Sequence, residues 1–200
     1  MRIILSTRNR SKVDQIKALL NDPRLSLHSL DEMNILGDCI EDGLTLKENA
    51  IKKALFAWNQ IKTWVIADDT GLFINALGGA PGIHAARWAG ANASTEDTMH
   101  FTLDKLKNVA PPLRTATFTT VAAIISPGGN VQTFQGSVQG SFLIHPRTQC
   151  QPNMPYSAIF VPDGQEKVWA EMTVEEENRI SHRGKAFRQL RVFLTNARET

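Results

Sequence analysis

Two adjacent carboxylates, Asp68 and Asp69, sit between the run Trp64-Val65-Ile66-Ala67 and the sequence Thr70-Gly71-Leu72. The apolar, β-branched residues before them read as a buried strand that delivers its acids at the strand's end. Alternate side chains on an extended backbone point to opposite faces, so the two acids cannot do the same job in the same direction. One could bind a metal while the other holds a water. The plainer alternative is a strand ending in a polar turn, with both acids solvated.

Three other stretches offer charges that could act with this pair. Ser6-Thr7-Arg8-Asn9-Arg10-Ser11-Lys12 follows a short apolar strand and precedes a helix. Amides at a helix N-terminus suit an anion, and Ser6, Thr7, Asn9 and Lys12 could complete a phosphate cradle. The glycines of a P-loop are missing, and an N-cap with solvated basic residues is the competing reading. Glu41-Asp42-Gly43 ends an irregular acidic connection, and Lys53 lies beside the apolar stripe of the next helix, placed either to snorkel or to reach a phosphate.

The elements that must position these groups are legible in outline. Arg2 to Ser6 reads as a first strand, and Val13, Ile16, Leu19 and Leu20 form one face of a helix. A second short strand is expected near Leu25 to Leu27. Thr45 and Glu48 form a capping box for a helix reaching about Lys62, and Ser94 with Asp97 caps another. Thr115 to Ile125 and Val131 to Val138 flank Pro127-Gly128-Gly129-Asn130 as a hairpin. Thr173 and Glu176 open a short helix that ends near Ser181-His182-Arg183-Gly184, and a last helix runs from about Lys185 to Ala197. Strands mixed with helices at both ends give an α/β class.

At 200 residues, with 42% hydrophobic and 21% charged content, the chain is ordinary for one folded domain, expected to span 1–200 without a linker or repeat. A formal net charge of +2 does not announce a nucleic-acid surface. The basic residues Arg183, Lys185, Arg188, Arg191 and Arg198 read better as the solvated face of an amphipathic helix. Cys39 and Cys150 have no CxxC or ligand cluster around them, so a reducing compartment is the default. No stretch approaches a membrane span, and a cytoplasmic location is expected.

Six pieces, in order, resemble the inosine triphosphate pyrophosphatases, which act on non-canonical purine nucleotides. They are Ser6 to Lys12, Glu41 to Ala54, Ala67-Asp68-Asp69-Thr70-Gly71-Leu72, Leu77-Gly78-Gly79-Ala80-Pro81-Gly82-Ile83-His84-Ala85-Ala86-Arg87, Ala170 to Thr173, and Ile180-Ser181-His182-Arg183-Gly184-Lys185-Ala186. The resemblance implies an elongated α/β fold with a mixed central sheet flanked by helices, two lobes with an intervening cleft, and a homodimer. It implies Mg²⁺-dependent hydrolysis of a nucleoside triphosphate to a monophosphate and pyrophosphate. Carried over by position, Asp69 is the base and Lys53 a catalytic cation. Glu41, Asp68 and Asp69 are the metal set. Ser6, Thr7, Asn9, Lys12, Thr70, Tyr156, Ser181, His182 and Arg183 contact substrate. His182 and Arg183 would donate to an oxygen on the purine, and Tyr156 would stack on it.

The match breaks where the family places a base-holding segment. Met154 stands for the usual aromatic, Ser157 for the usual aspartate, Glu177 for a lysine and Ala85 for a serine. These changes imply altered base specificity. They leave open a paralogue acting on another nucleotide, a low-turnover nucleotide-binding protein and, more weakly, a nucleic-acid module.

Overall fold

Side-chain caps fix the helix starts that matter here. The computed structural model describes residues 1–197. Its strands are β1 (Arg2–Leu5), β2 (Ser26–Ser29), β3 (Trp64–Ile74), β4 (Pro81–Gly82), β5 (Thr115–Ile125), β6 (Val131–Phe142) and β7 (Phe160–Pro162). Its helices are α1 (Arg10–Leu19), α2 (Leu46–Ile61), α3 (Thr95–Lys105), α4 (Val174–Ile180) and α5 (His182–Asn196). Ser94 and Asp97 make the reciprocal capping box expected for α3, and Thr173 with Glu176 does the same before α4. At α2 the Thr45 hydroxyl accepts from the Glu48 amide, but the Glu48 carboxylate takes the Leu44 amide instead of Thr45's.

Among the described residues the strands hydrogen-bond in the order β2-β1-β3-β5-β6-β7, with β4 pairing to β3. β1 is parallel to β2 and β3, whereas β4 and β7 are antiparallel to β3 and β6. This mixed sheet with helices is the α/β architecture that the sequence predicts.

The chain divides into two compact units. One comprises Met1–Thr70, Thr120–Gly136 and the chain from Ser181 onward. Its core joins Ile3 and Leu5 of β1, Val13 and Ile16 of α1, Ile66 of β3, and Phe187 and Leu190 of α5. The other comprises Gly71–Thr119 and Ser137–Ile180. Its core is aromatic, with the Phe118 ring edge-on to Phe160 at 4.8 Å and Trp169 stacked on Phe160 at 6.0 Å. Buried Arg114 donates to the carbonyls of Leu106, Val109 and Leu143, satisfying the end of α3. The crossings from one unit to the other fall inside β3, β5 and β6 and just before α5, so no linker composition marks them.

Two expectations about local structure need correction. β3 does not end at the acids; it continues through Asp68 and Asp69 to Ile74 because Leu72, Phe73 and Ile74 extend the apolar run. α4 ends at Ile180, beside Ser181 as expected, but the last helix starts at His182 rather than near Lys185, so Ser181-His182-Arg183-Gly184 opens α5. Ser181 is its N-cap, accepting from the Gly184 amide at 3.0 Å.

Gly136 lets α5 lie against β6. A Cβ there would stand 2.2 Å from the His182 carbonyl oxygen and 2.6 Å from the Ala186 nitrogen, both backbone atoms that cannot swing aside. Gly136→Ala is expected to destabilise the protein by about 1–3 kcal/mol, the usual cost of overpacking, read as a lowered midpoint in denaturant unfolding. An unchanged midpoint would contradict this packing.

Candidate active site

The two acids of β3 are buried, and each must find compensation on its own side of the sheet. Strand alternation puts Ile66, Asp68 and Thr70 on one face and Val65, Ala67 and Asp69 on the other. Ile66 packs into the core formed with α1 and α5, so Asp68 meets those helices. Asp69 meets α2.

On the first face, Asp68 Oδ2 accepts from Arg183 Nε at 3.2 Å and Nη2 at 3.1 Å, and lies 3.3 Å from Lys12 Nζ. The Asp68 side chain is 1% exposed. Arg183 also donates from Nη1 to Gln15 Oε1 at 2.6 Å and from Nη2 to Thr70 Oγ1 at 3.3 Å. Thr70 in turn shares a hydrogen bond of 2.6 Å with Thr120. Burial alone would raise the Asp68 carboxyl, but the charges of Lys12, Arg183 and Lys53 overcome it and hold it well below the usual carboxylate range. Burial draws Lys12 below an ordinary lysine, with Asp68 opposing.

On the second face, Lys53 Nζ donates to Asp69 Oδ1 at 2.6 Å and lies 3.5 Å from Glu41 Oε2. Lys53 falls on the buried face of α2 with Asn49, Ala50, Ala54 and Ala57, so it meets the sheet rather than solvent. Burial opposes its charge, and Asp69, Asp68 and Glu41 together outweigh that and hold the ammonium above its ordinary value. Burial raises Asp69, a shift that Lys53 only partly offsets. Asp69 Oδ2 is buried without a hydrogen-bond partner. Such an orphan costs roughly 1–3 kcal/mol and marks a group held for something else.

Local chemistry explains how Glu41 and Lys53 come together. The Gly43 amide donates to buried Asn49 Oδ1 at 2.8 Å, and Lys52 pairs with Asp42 at 2.5 Å, tying the Glu41 loop to the first turns of α2. From the other side, Ser6 donates its hydroxyl to the Lys53 carbonyl at 2.6 Å and its amide to the Ile66 carbonyl at 2.7 Å. Buried Ser6 thus clamps α2 to β3 at the position of Lys53.

The expected site residues divide accordingly. Glu41, Lys53 and Asp69 form one network, and Lys12, Asp68, Thr70 and Arg183 another. Asn9 caps α1 by accepting from the Lys12 amide, and Thr7 accepts from the Asn9 amide. Both shape the turn that aims Lys12. Ser181 is spent on the cap of α5, with no exposure. His182 is buried, and burial followed by the charge of Arg183 pushes its imidazole well below the ordinary value, leaving it neutral.

Tyr156 sits elsewhere, in the aromatic core of the second unit, with its hydroxyl donating to the Ala85 carbonyl at 2.7 Å and its phenol raised by burial. Its ring is core packing, which departs from the expected stacking role. Ser157 bonds within its own turn, to the Gln151 amide and Met154 carbonyl. Glu177 is buried in α4. Lys185, Arg188 and Arg191 occupy the exposed face of α5, while Arg183 is buried and Arg198 lies outside the described residues. Sequence reading missed Gln15 and Thr120. Gln15 carried a signal: a polar residue among the apolar face of α1, one turn after Lys12.

Among the described residues no three His, Cys, Asp or Glu side chains cluster as a metal cage, and no helix is long and apolar enough to cross a membrane.

The chain is similar to known proteins over nearly its whole length. The model of the Ham1 family matches residues 3–193. A dITP/XTP pyrophosphatase of Thermoanaerobacter pseudethanolicus is 38% identical over 194 residues, covering 97% of this chain and 96% of that protein. One from Bacillus subtilis is 36% identical over 191 residues, covering 96% of each. The Staphylococcus aureus Ham1 protein superposes with a TM-score of 0.86 at 32% identity, over 98% of this chain and 100% of that one. A HAM1 protein from Coxiella burnetii gives 0.86 at 33% identity, over 98% and 99%.

Two outcomes follow from the networks. Ser6→Ala removes the hydrogen bond that the Lys53 carbonyl accepts in addition to its place in the α2 ladder, and is expected to cost about 0.5–1.5 kcal/mol of stability, measurable by denaturant unfolding; no loss would contradict the clamp. Because Asp68 is depressed in the folded state, its ionised form stabilises the protein fully above its unfolded value near pH 4. That contribution is lost as pH falls through the folded value. The stability advantage of wild type over Asp68→Asn should therefore shrink on acidification below about pH 4. An advantage that grows there would contradict the assignment.

Proposed function

The chain belongs to the Ham1 family, and from that membership together with the site we propose that it hydrolyses nucleoside triphosphates to monophosphate and pyrophosphate, acting on non-canonical purine nucleotides such as ITP, dITP and XTP. The relatives named as dITP/XTP pyrophosphatases support the substrate class. The observation that carries the mechanism is the Asp69 carboxylate, one oxygen fixed by Lys53 and the other buried without a partner.

A triphosphate carries several negative charges, and water attacks phosphorus only if cations neutralise them. Lys12 and Lys53 supply two fixed positive charges from different elements. Lys53 orients Asp69 through Oδ1, which aims Oδ2 to accept a proton from the attacking water. A raised carboxyl makes that oxygen a stronger base than an exposed aspartate. Glu41 and Asp69 offer hard oxygens beside the same ammonium, and the unpartnered Oδ2 fits a cation as well as a water. Mg²⁺ takes one or two carboxylates and keeps several waters, so this pair suffices without a closed cage. When bound, it would neutralise phosphate oxygens and the departing pyrophosphate. Magnesium dependence, a homodimer and a cytoplasmic location belong to the same proposal, supported by the family resemblance.

Pyrophosphate release measured on ITP, dITP, XTP and the canonical triphosphates tests this reading, with release fastest from the non-canonical purines. Asp69→Asn is expected to lower kcat by about two decades or more, the range of a general base, while nucleotide still saturates. Unchanged turnover in that variant would remove Asp69 as the base, and saturable binding without release by wild type would make the chain a nucleotide-binding protein.

A further inference from the structure

Asp68 was the carboxylate expected beside Glu41 on a metal, yet its surroundings leave no oxygen to offer. Oδ2 takes two N–H groups of Arg183 and sits 3.3 Å from Lys12 Nζ, and Oδ1 lies 3.5 Å from the same ammonium. With 1% exposure there is no space beside it for an ion that keeps several waters. The other two acids differ. Glu41 is 38% exposed, and Asp69 holds an oxygen in reserve.

The partners of Asp68 come from two helices that do different things. Lys12 stands at the first turn of α1, where a phosphate cradle is expected, and its side chain is still 25% exposed, so it can turn donors outward. Arg183 stands in the first turn of α5 next to His182, at the end expected to read the base. Each of its nitrogens has a protein acceptor: Asp68 for Nε and Nη2, Thr70 for Nη2, and Gln15 for Nη1. Gln15 rides on α1 one turn beyond Lys12. The orientation of Arg183 is therefore set by β3 and α1 rather than by α5 alone. Asp68 is the only carboxylate among those acceptors.

Resting on the hydrolase reading above, we infer that Asp68 is a positioning residue for base selection: its carboxylate is the shared counter-ion that fixes Arg183 and Lys12 relative to each other, with Gln15 completing the grip, and it does not ligate the cation. One buried group thereby sets the register between the base and phosphate ends of the substrate. With four of its five N–H groups engaged by Asp68, Thr70 and Gln15, the guanidinium has one Nη1 hydrogen left to offer, and in one direction only. Loosening it frees Arg183 to satisfy acceptors in more than one place, which erodes discrimination more than it erodes chemistry at phosphorus.

The test compares wild type, Asp68→Asn and Gln15→Met, the last keeping side-chain length while removing the acceptor for Nη1. Each is assayed for the ratio of kcat/KM on ITP to that on GTP and for the Mg²⁺ concentration giving half-maximal pyrophosphate release. Asp68→Asn is expected to lower the ITP preference by about tenfold, the scale of one buried charged hydrogen bond. Its Mg²⁺ half-saturation should stay within about twofold of wild type. Gln15→Met should lower the preference in the same direction, and it serves alone if Asp68→Asn does not fold. A Mg²⁺ requirement raised about tenfold in Asp68→Asn would return the cation to Asp68 and overturn the inference. A preference unchanged in both variants would overturn it equally. If wild type releases no pyrophosphate from any substrate, the hydrolase reading fails instead, and the ITP-to-GTP ratio is then read from binding affinities by calorimetry with the same outcomes deciding.

Discussion

Neighbouring carboxylates in the middle of a buried strand are electrostatically untenable unless each is given its own cation, because desolvation and mutual repulsion both disfavour two charges there. Most of the first unit is arranged to meet that constraint. β3 turns Asp68 toward α1 and α5, and Asp69 toward α2. The helices bring Lys12, Arg183 and Lys53 to the correct faces, and the supporting bonds exist to keep them there: the Ser6 clamp on Lys53, the Asn9 cap before Lys12, the Ser181 cap before Arg183 and the close approach allowed by Gly136. Taking away a cation would leave an uncompensated buried charge, which is far costlier than losing a surface ion pair.

The two acids are nevertheless not equivalent. Asp68 is surrounded by Arg183 and Lys12 and held ionised. Asp69 has one oxygen fixed, the other unsatisfied, and a carboxyl pushed toward protonation by burial. Environments that drive adjacent titratable groups in opposite directions are how a site assigns structural and reactive roles to the same residue type. The strand's period of two makes that assignment possible from adjacent positions.

Much of this was legible in the letters. Capping boxes marked α2 and α4, the Ser94–Asp97 cap marked α3, the apolar period marked α1, and the apolar run into Asp68-Asp69 marked β3. Three features were not. The strand's continuation past the acids was hidden because Asp-Asp-Thr-Gly has the composition of a turn, and what holds it in a strand is the place of β3 in the sheet beside β1, β4 and β5. The start of α5 was hidden because Gly184 reads as a helix stop, although Ser181 three residues earlier is a sound N-cap. The partners of Arg183 lie 115 and 168 positions away in sequence, at Asp68 and Gln15, and no local pattern encodes a bond of that range. Tyr156 shows the reverse error. An aromatic at a position that resembles a base platform is, in this chain, held in the core by the Ala85 carbonyl.

The measurement that bears most directly on this account is a ¹³C carboxyl NMR titration of metal-free protein, with Asp68 and Asp69 assigned from their single Asn variants. Asp69 should titrate above, and Asp68 well below, the ordinary aspartate value of 3.8. Two aspartates titrating together near that value, or Asp68 titrating above Asp69, would contradict the division of the pair into an anchored acid and a reactive one.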